Sequence, residues 1–295
     1  MLFGIAAYTM WGLFPLYWPL LEPAGVLEIL SHRVVWSALF MMLLVALTRR
    51  AGSLRALTKD RRKAAILLIA AILISFNWGV YIWAVNHDHV IESSLGYFIN
   101  PLINVLLGVL LLGEQLRLRQ WAALAVAAVG VVVLAVDARA LPWIALVLAG
   151  SFGFYGLLKK WADAGAIESL TLETLFLIPA GMIFLLANAA RGNGHFLGEG
   201  ADHSLLFVGI GITTAIPLLC FGAAATRIPL STLGLLQYIG PTLQFVIGVA
   251  LLKEQMSGGR WIGFTLVWIA LAAFTMESLH HRRSNARPLA AMQSQ

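Results

Sequence analysis

Arg33 and Glu173 are charged residues that lie inside long apolar stretches, 140 residues apart. A buried ion costs roughly 3 kcal/mol on membrane-insertion scales, so each needs a partner or a wet cavity. Both residues could therefore gate a charged pathway or form static structural contacts. For Arg33, a further alternative is contact with lipid headgroups. His32 adjoins Arg33 and has an ordinary pKa near neutrality, which would suit proton transfer, although a packing role is favoured.

Pro101 and Pro241 form a second pair at the same spacing, each well inside an apolar stretch. A proline has no N–H, so the carbonyl four residues earlier, at Tyr97 or Gln237, loses its helical partner. Such a break in hydrocarbon must be covered by protein, water or ligand. Helix breaks at matching places in two halves point to the binding site of a transporter, with a plain packing kink as the alternative.

Carboxamide and aromatic side chains near these prolines predict a central cavity for a small molecule. Polar side chains in a membrane helix must find partners, so they are expected to point inward. Aromatic residues near helix ends have a second interpretation as an interfacial belt, and Tyr155 has one in helix packing. The predicted pathway residues are Asn77, Trp83, Tyr97, Asn100, Tyr155, Gln237, Tyr238 and Gln244.

A cluster of ionisable residues, His87-Asp88-His89 with Glu92, contains the side chains that bind zinc. No matching ligand set occurs elsewhere, so a solvated loop is favoured and we predict no metal site. The chain also has no phosphate-binding loop, zinc-protease motif or nucleophile elbow. We therefore predict no catalytic residues, no cofactor and no enzymatic activity.

The composition places these residues in a membrane protein. Of 295 residues, 60% are hydrophobic and 12% are charged, and the mean hydropathy is +0.85. Soluble domains carry roughly 25% charged residues, so an ordinary soluble enzyme, a disordered chain and a nucleic-acid-binding protein are excluded. Cys220 is the only cysteine, so no intramolecular disulfide can form.

Ten apolar segments are long enough to span a bilayer, which needs about 20 residues. They are roughly 2–21, 26–48, 64–86, 93–113, 119–137, 142–159, 168–190, 204–226, 229–252 and 261–280. With the N-terminus inside, the cytoplasmic segments hold 15 basic residues, Lys159 among them, and the outer segments hold 4. This asymmetry predicts that both termini are cytoplasmic.

The chain contains an internal repeat with an offset of 140 residues. Residues 94–121 and 234–261 align without a gap, and the proline, the glycine, the Glu-Gln pair and the tryptophan coincide. The halves are 1–140 and 141–281, followed by a cytoplasmic tail, 282–295. Because each half has five spans, an odd number, the second enters the membrane in the opposite direction. The predicted fold is thus an all-α membrane protein of ten helices in two inverted five-helix repeats, with Glu114 and Glu254 on opposite sides.

Five motifs along the chain are more specific than hydrophobicity alone. They read SHRVVWS (31–37), ESSLGYFINPL (92–102), SFGFYGLLKK (151–160), TTAIPLLCFGAAATR (213–227) and PLSTLGLLQYIGPT (229–242). Together they resemble the RarD-type permeases, in the EamA branch of the drug/metabolite transporter superfamily, over about residues 3–280. The resemblance implies ten helices, two EamA repeats and the bacterial inner membrane. Members of the group are named for an association with chloramphenicol sensitivity or resistance.

These observations predict an inner-membrane secondary transporter of small organic solutes that works by alternating access. Its expected partners are the lipid bilayer and an unidentified solute, not nucleic acid. Proton coupling and homo-oligomer formation are left open, as is the direction of transport. The alternatives are a structural or regulatory membrane protein without flux and a membrane-embedded enzyme that modifies lipids.

Overall fold

The described part of the chain is helical and contains no β-strand. The computed structural model describes residues 1–86, 90–138, 143–250, 257–270, 272–273 and 276–277. The helices are α1 Leu2–Gly12, α2 Val26–Leu47, α3 Ala51–Lys59, α4 Arg61–Asn86, α5 Val90–Leu112, α6 Leu118–Ala138, α7 Trp143–Ala162, α8 Ala166–Ala190, α9 Ala201–Ala225, α10 Leu230–Leu236 and α11 Ile239–Ala250. Residues 258–270 form a further helix, α12. The predicted tail, 282–295, lies outside the described residues.

The outer surface of the helix bundle is apolar. Among the described residues, five helices are each long and apolar enough to cross a membrane, namely α2, α4, α6, α8 and α9. Large apolar side chains point outward from several helices, and Leu110 and Ile183 are 74% and 69% exposed. A surface of this kind is stable in contact with lipid rather than water. The chain is therefore a multi-pass membrane protein.

Three predicted segments are less regular than the apolar pattern suggests. The first predicted span continues beyond α1 as two short 3-10 turns, Phe14–Leu16 and Trp18–Leu21. Pro15 and Pro19 have no N–H, so they cannot continue the α-helical hydrogen bonds of the preceding turn. The ninth predicted span is divided into α10 and α11. The polar connection 49–63 contains α3, which packs Leu57 against the bundle.

The two halves of the chain pack closely against each other. Helix α5 contacts α7 and α10, α2 contacts α8 and α9, and α1 contacts α9 and α11. Along α5, Gly108 approaches Ser231 near the start of α10 and Asn104 approaches Gly234, while the Phe98 carbonyl accepts a hydrogen bond from Tyr238, just after the end of α10. Since the residue numbers rise along one helix and fall along the other, α5 and α10 are antiparallel.

Helices α2 and α9 cross with their backbones in contact at Gly211. A Cβ atom added to this glycine would lie 2.5 Å from Cβ of Trp36, closer than real carbon atoms approach. The hydroxyl of Ser37 donates a hydrogen bond to the Gly211 carbonyl at 3.1 Å. Small residues allow this close approach between membrane helices.

We predict that Gly211→Ala destabilises the protein by about 1–3 kcal/mol, because the added methyl forces α2 and α9 apart. The thermal unfolding temperature of the purified protein in detergent measures this effect. Gly150→Ala is the matched control, because a Cβ atom there would meet nothing within 4 Å. Equal unfolding temperatures for the two variants would contradict the close crossing.

Candidate functional site

A cavity lies between the two halves of the chain. Its described wall comes from α1, α2, α4, α5, α7 and the junction of α10 with α11. The lining residues are Tyr8, Trp11, Phe14, Arg33, Asn77, Trp78, Tyr81, Gly96, Tyr97, Asn100, Leu148, Phe152, Gln237, Gly240, Pro241 and Gln244. The cavity therefore combines several aromatic rings with carboxamides and one guanidinium, a composition that suits a small organic molecule.

Arg33 brings its guanidinium to the cavity wall from α2. Nε donates a hydrogen bond to the hydroxyl of Thr214 on α9 at 3.1 Å. The carbon of the guanidinium lies 4.2 Å from the ring centre of Trp78, so the cation stacks on the aromatic face. The side chain is 4% exposed and is thus held inside the protein rather than extended to lipid headgroups.

The carboxamides of the wall differ in how their hydrogen bonds are satisfied. Nδ2 of Asn77 donates to the Leu148 carbonyl at 2.8 Å and to Oγ of Ser151 at 2.9 Å, which ties α4 to α7. Nε2 of Gln244 makes a longer bond of 3.4 Å to the Trp11 carbonyl. Oδ1 of Asn100 is buried and has no partner among the described residues.

The junction of α10 and α11 opens the backbone next to the cavity. Pro241 cannot donate to the Gln237 carbonyl, and the N–H of Gly240 donates to it instead, at 3.1 Å. This shorter-range bond replaces the α-helical bond that proline removes. At the other predicted break, Pro101, the chain stays helical, and α5 continues through the proline. Pro101 does not line the cavity but lies against Gly234 of α10.

Five of the eight predicted pathway residues line the cavity, and three lie elsewhere. Trp83 is 42% exposed and faces Trp143, since its position on α4 turns it outward. The hydroxyl of Tyr155 donates to Oε2 of Glu173 at 3.0 Å. The hydroxyl of Tyr238 donates to the Phe98 carbonyl at 3.3 Å. The two tyrosines are fully buried, so they pack helices together outside the cavity.

Glu173 forms a buried ion pair away from the cavity. Its Oε1 accepts a hydrogen bond from Nζ of Lys159 at 2.5 Å, and the two side chains are each 2% exposed. Nζ of Lys159 also donates to Oγ of Ser169 at 2.6 Å. The sequence predicts Lys159 among the cytoplasmic basic residues, and the structure shows that its side chain is buried opposite a carboxylate.

His32 lies in an aromatic cluster rather than in the cavity wall. Its ring stacks on Phe196 with centroids 4.8 Å apart and contacts Phe207 at 4.6 Å. The residues His87, Asp88 and His89 lie outside the described residues, as does Glu254.

A contact that the sequence did not predict lies at the end of α5 that is expected to face the cytoplasm. Oε1 of Glu114 accepts the N–H of Leu230 at 2.6 Å, and Oε2 accepts the N–H and hydroxyl of Ser231 at 3.0 and 2.6 Å. The carboxylate thus satisfies the first N–H groups of α10 and interacts favourably with its dipole. The repeat of the Glu-Gln pair in both halves was a signal for this position.

We predict that Glu173→Gln destabilises the protein by about 3–5 kcal/mol, because it leaves the Lys159 ammonium buried without its carboxylate. The double variant Lys159→Met/Glu173→Gln should recover most of this loss, as measured by the thermal unfolding temperature in detergent. Arg260→Gln is the control: this half-buried partner of Asp137, 4.0 Å away, should contribute at most about 1 kcal/mol. A double variant no more stable than Glu173→Gln alone would contradict the pair.

A family model and closely similar known proteins point to the same family. Residues 1–136 match the EamA-like transporter family. Protein RarD of Streptomyces exfoliatus is 50% identical over 99% of this chain and 93% of that protein. Protein RarD of Escherichia coli (strain K12) is 43% identical over 97% of both chains. A solved crystal structure shares the fold, with a TM-score of 0.72 at 18% identity over 95% of this chain and 97% of the other. With 43–50% identity to these relatives along nearly its whole length, the chain belongs to the RarD-type permeases of the EamA-like transporter family.

Proposed function

We propose that this protein is a secondary transporter of the bacterial inner membrane that carries small organic solutes by alternating access. The observation that carries the proposal is the polar and aromatic cavity between the two halves of the chain. A binding site at the interface of two repeats, beside an interrupted helix, is the recurring arrangement in secondary transporters. No chemical step on the solute is needed for this function.

The helix contacts support two halves related by an inverted repeat. If α1, α2, α4 and α5 correspond to α7, α8, α9 and α10–α11, exchanging the halves converts the α4–α7 contact into the α9–α1 contact. The same exchange converts α5–α7 into α11–α1, and α2–α9 into α8–α4, and all of these contacts occur. The self-paired helices α5 and α10 are antiparallel, as an axis in the membrane plane requires. Ten spans in two such repeats, with both termini cytoplasmic, complete the proposed topology.

One end of the interface between α5 and α10 is closed. A Cβ atom on Gly234 would lie 2.7 Å from Cβ of Asn104, so the helices have no space between them at this level. Nδ2 of Asn104 donates to Oε1 of Gln237 at 3.0 Å, and Glu114 binds the start of α10 beyond it. This closed end carries the basic residues expected in the cytoplasm, including Lys160. The proposed state is therefore closed toward the cytoplasm.

The charged residues favour transport over the alternative of a lipid-modifying enzyme. That activity would need acid or base groups that converge on a substrate. Glu173 is instead paired with Lys159 and bonded to Tyr155, outside the cavity. Arg33 is the one lining residue with a formal charge in the described wall, and a guanidinium is a poor acid or base at physiological pH.

We predict that Pro241→Ala slows transport more than it affects insertion, because the restored N–H favours a continuous helix across the cavity. Exchange of labelled solutes by proteoliposomes, with a panel that includes chloramphenicol, measures the rate at equal protein content. The control is Pro179→Ala, which restores an N–H inside α8 outside the described cavity wall. Equal slowing in both variants would contradict a special role for Pro241, and exchange of no solute by the wild type would count against transport itself.

A further inference from the structure

One carboxamide in the cavity wall has no partner in the described part of the protein. Asn100 lines the cavity and is 3% exposed, and its Oδ1 makes no hydrogen bond to any described residue. A buried polar group without a hydrogen bond is destabilising, so such a group in the wall of a cavity points to a ligand that supplies the bond. The hydroxyl of Tyr8 is a second wall group of this kind among the described residues.

Other carboxamides near Asn100 hold helices together instead. Nδ2 of Asn77 donates to Oγ of Ser151 at 2.9 Å and so joins α4 to α7. Four residues beyond Asn100 on α5, Nδ2 of Asn104 donates to Oε1 of Gln237 at 3.0 Å. No bond of this kind joins Asn100 to another helix in the described structure. Its side chain therefore remains available to a bound molecule.

We infer that Asn100 recognises a ligand that carries an N–H group beside a C=O group on one edge of a flat ring. A carboxamide has an acceptor oxygen next to an NH2 donor. A cyclic amide, or lactam, presents the complementary pair and forms two parallel hydrogen bonds with it, as asparagine does with the edge of a nucleic-acid base. The inference deepens the proposed function, on which it rests for calling this ligand the transported solute.

The aromatic part of the wall fits the ring of such a ligand. Tyr97 precedes Asn100 by three residues, so the two side chains leave α5 on one face, about 5–6 Å apart. Tyr81 meets Tyr97 edge to face with centroids 5.7 Å apart, and Trp11 meets Phe152 in the same way at 5.7 Å. Flat rings pack favourably against such walls in offset or edge-to-face arrangements.

The test compares three ligands of the wild-type protein that share one flat two-ring system. In 2-quinolone the N–H and the C=O lie on one edge, N-methyl-2-quinolone lacks the N–H, and the isomer 4-quinolone has the two groups at opposite ends of one ring. Equilibrium dialysis with the protein in phosphatidylcholine nanodiscs, corrected for empty nanodiscs, measures binding. We expect 2-quinolone to bind at least about fivefold more tightly than the other two, since each of them loses one hydrogen bond to Asn100.

The variant Asn100→Leu removes both hydrogen-bonding groups at similar size and should give the three ligands equal affinity. The matched control is Asn193→Leu, which replaces an exposed asparagine between α8 and α9, outside the described cavity wall, and should leave the preference unchanged. The comparison of ligands needs only the wild-type protein, so a folding defect of Asn100→Leu cannot decide the result.

Equal or weaker binding of 2-quinolone relative to either of the other ligands would overturn the inference. Binding of none of the three at millimolar concentration would overturn it as well. A preference for 2-quinolone that persists in folded Asn100→Leu would place the recognition on another group and would also contradict the role of Asn100.

The same ligands separate this inference from the transport function. Selective binding of 2-quinolone without exchange of any solute across proteoliposomes would support the site and contradict transport. Exchange of solutes by proteoliposomes without selective binding of 2-quinolone would leave transport in place and overturn the assignment of the ligand.

Discussion

Inside a bilayer, every polar group must find its partner within the protein, because hydrocarbon offers none. In this chain, carboxamides, a guanidinium and an interrupted backbone therefore lie between the two halves, where the protein can supply partners. The side-chain amide of Asn77 donates hydrogen bonds to α7. The guanidinium of Arg33 donates to Thr214 and stacks on Trp78. The outer surface, left to apolar side chains, faces lipid. The cavity is thus a consequence of the same requirement that drives the helices together.

In the proposed alternating-access mechanism, opening toward the cytoplasm would depend on the antiparallel contact of α5 with α10. At one end Gly234 lets the two helices touch, and Glu114 bonds the first turn of α10. At the other end Tyr97 and Gln244 face open space. Separation at the closed end requires that the hydrogen bonds of Glu114 and Asn104 be broken. It leaves the Lys159–Glu173 pair intact, because this pair joins neighbouring helices of one half. In that proposed mechanism, the contacts of Glu114 and Asn104 change between states, whereas the Lys159–Glu173 pair does not.

The sequence predicted the site best at polar residues, because a polar side chain inside an apolar segment is unstable in contact with lipid. Asn77, Gln237 and Gln244 line the cavity, because a carboxamide in an apolar segment needs polar partners inside the protein. Trp83 could not be placed this way, because a tryptophan is stable both at the lipid interface and in a cavity.

The fold was predictable at the level of apolar helices, and its details depended on tertiary contacts that a single sequence does not encode locally. Lys159 lies at the end of an apolar segment, so it was assigned to the cytoplasm, and only the approach of α8 buries it with Glu173. The helix α3 is short and polar, and it depends on the contact of Leu57 with the bundle. Pro101 shows the opposite case, since a proline can remain inside a helix that continues.

Accessibility of one cavity residue from the two faces of the membrane tests alternating access most directly. The residue is Gln244→Cys in a Cys220→Ser background, labelled by a membrane-impermeant maleimide in right-side-out and inside-out vesicles. We expect labelling from both faces. We also expect Glu114→Gln, which loosens the closed end, to speed labelling from the cytoplasmic face and to slow it from the other. Labelling from a single face, unchanged by Glu114→Gln, would contradict alternating access.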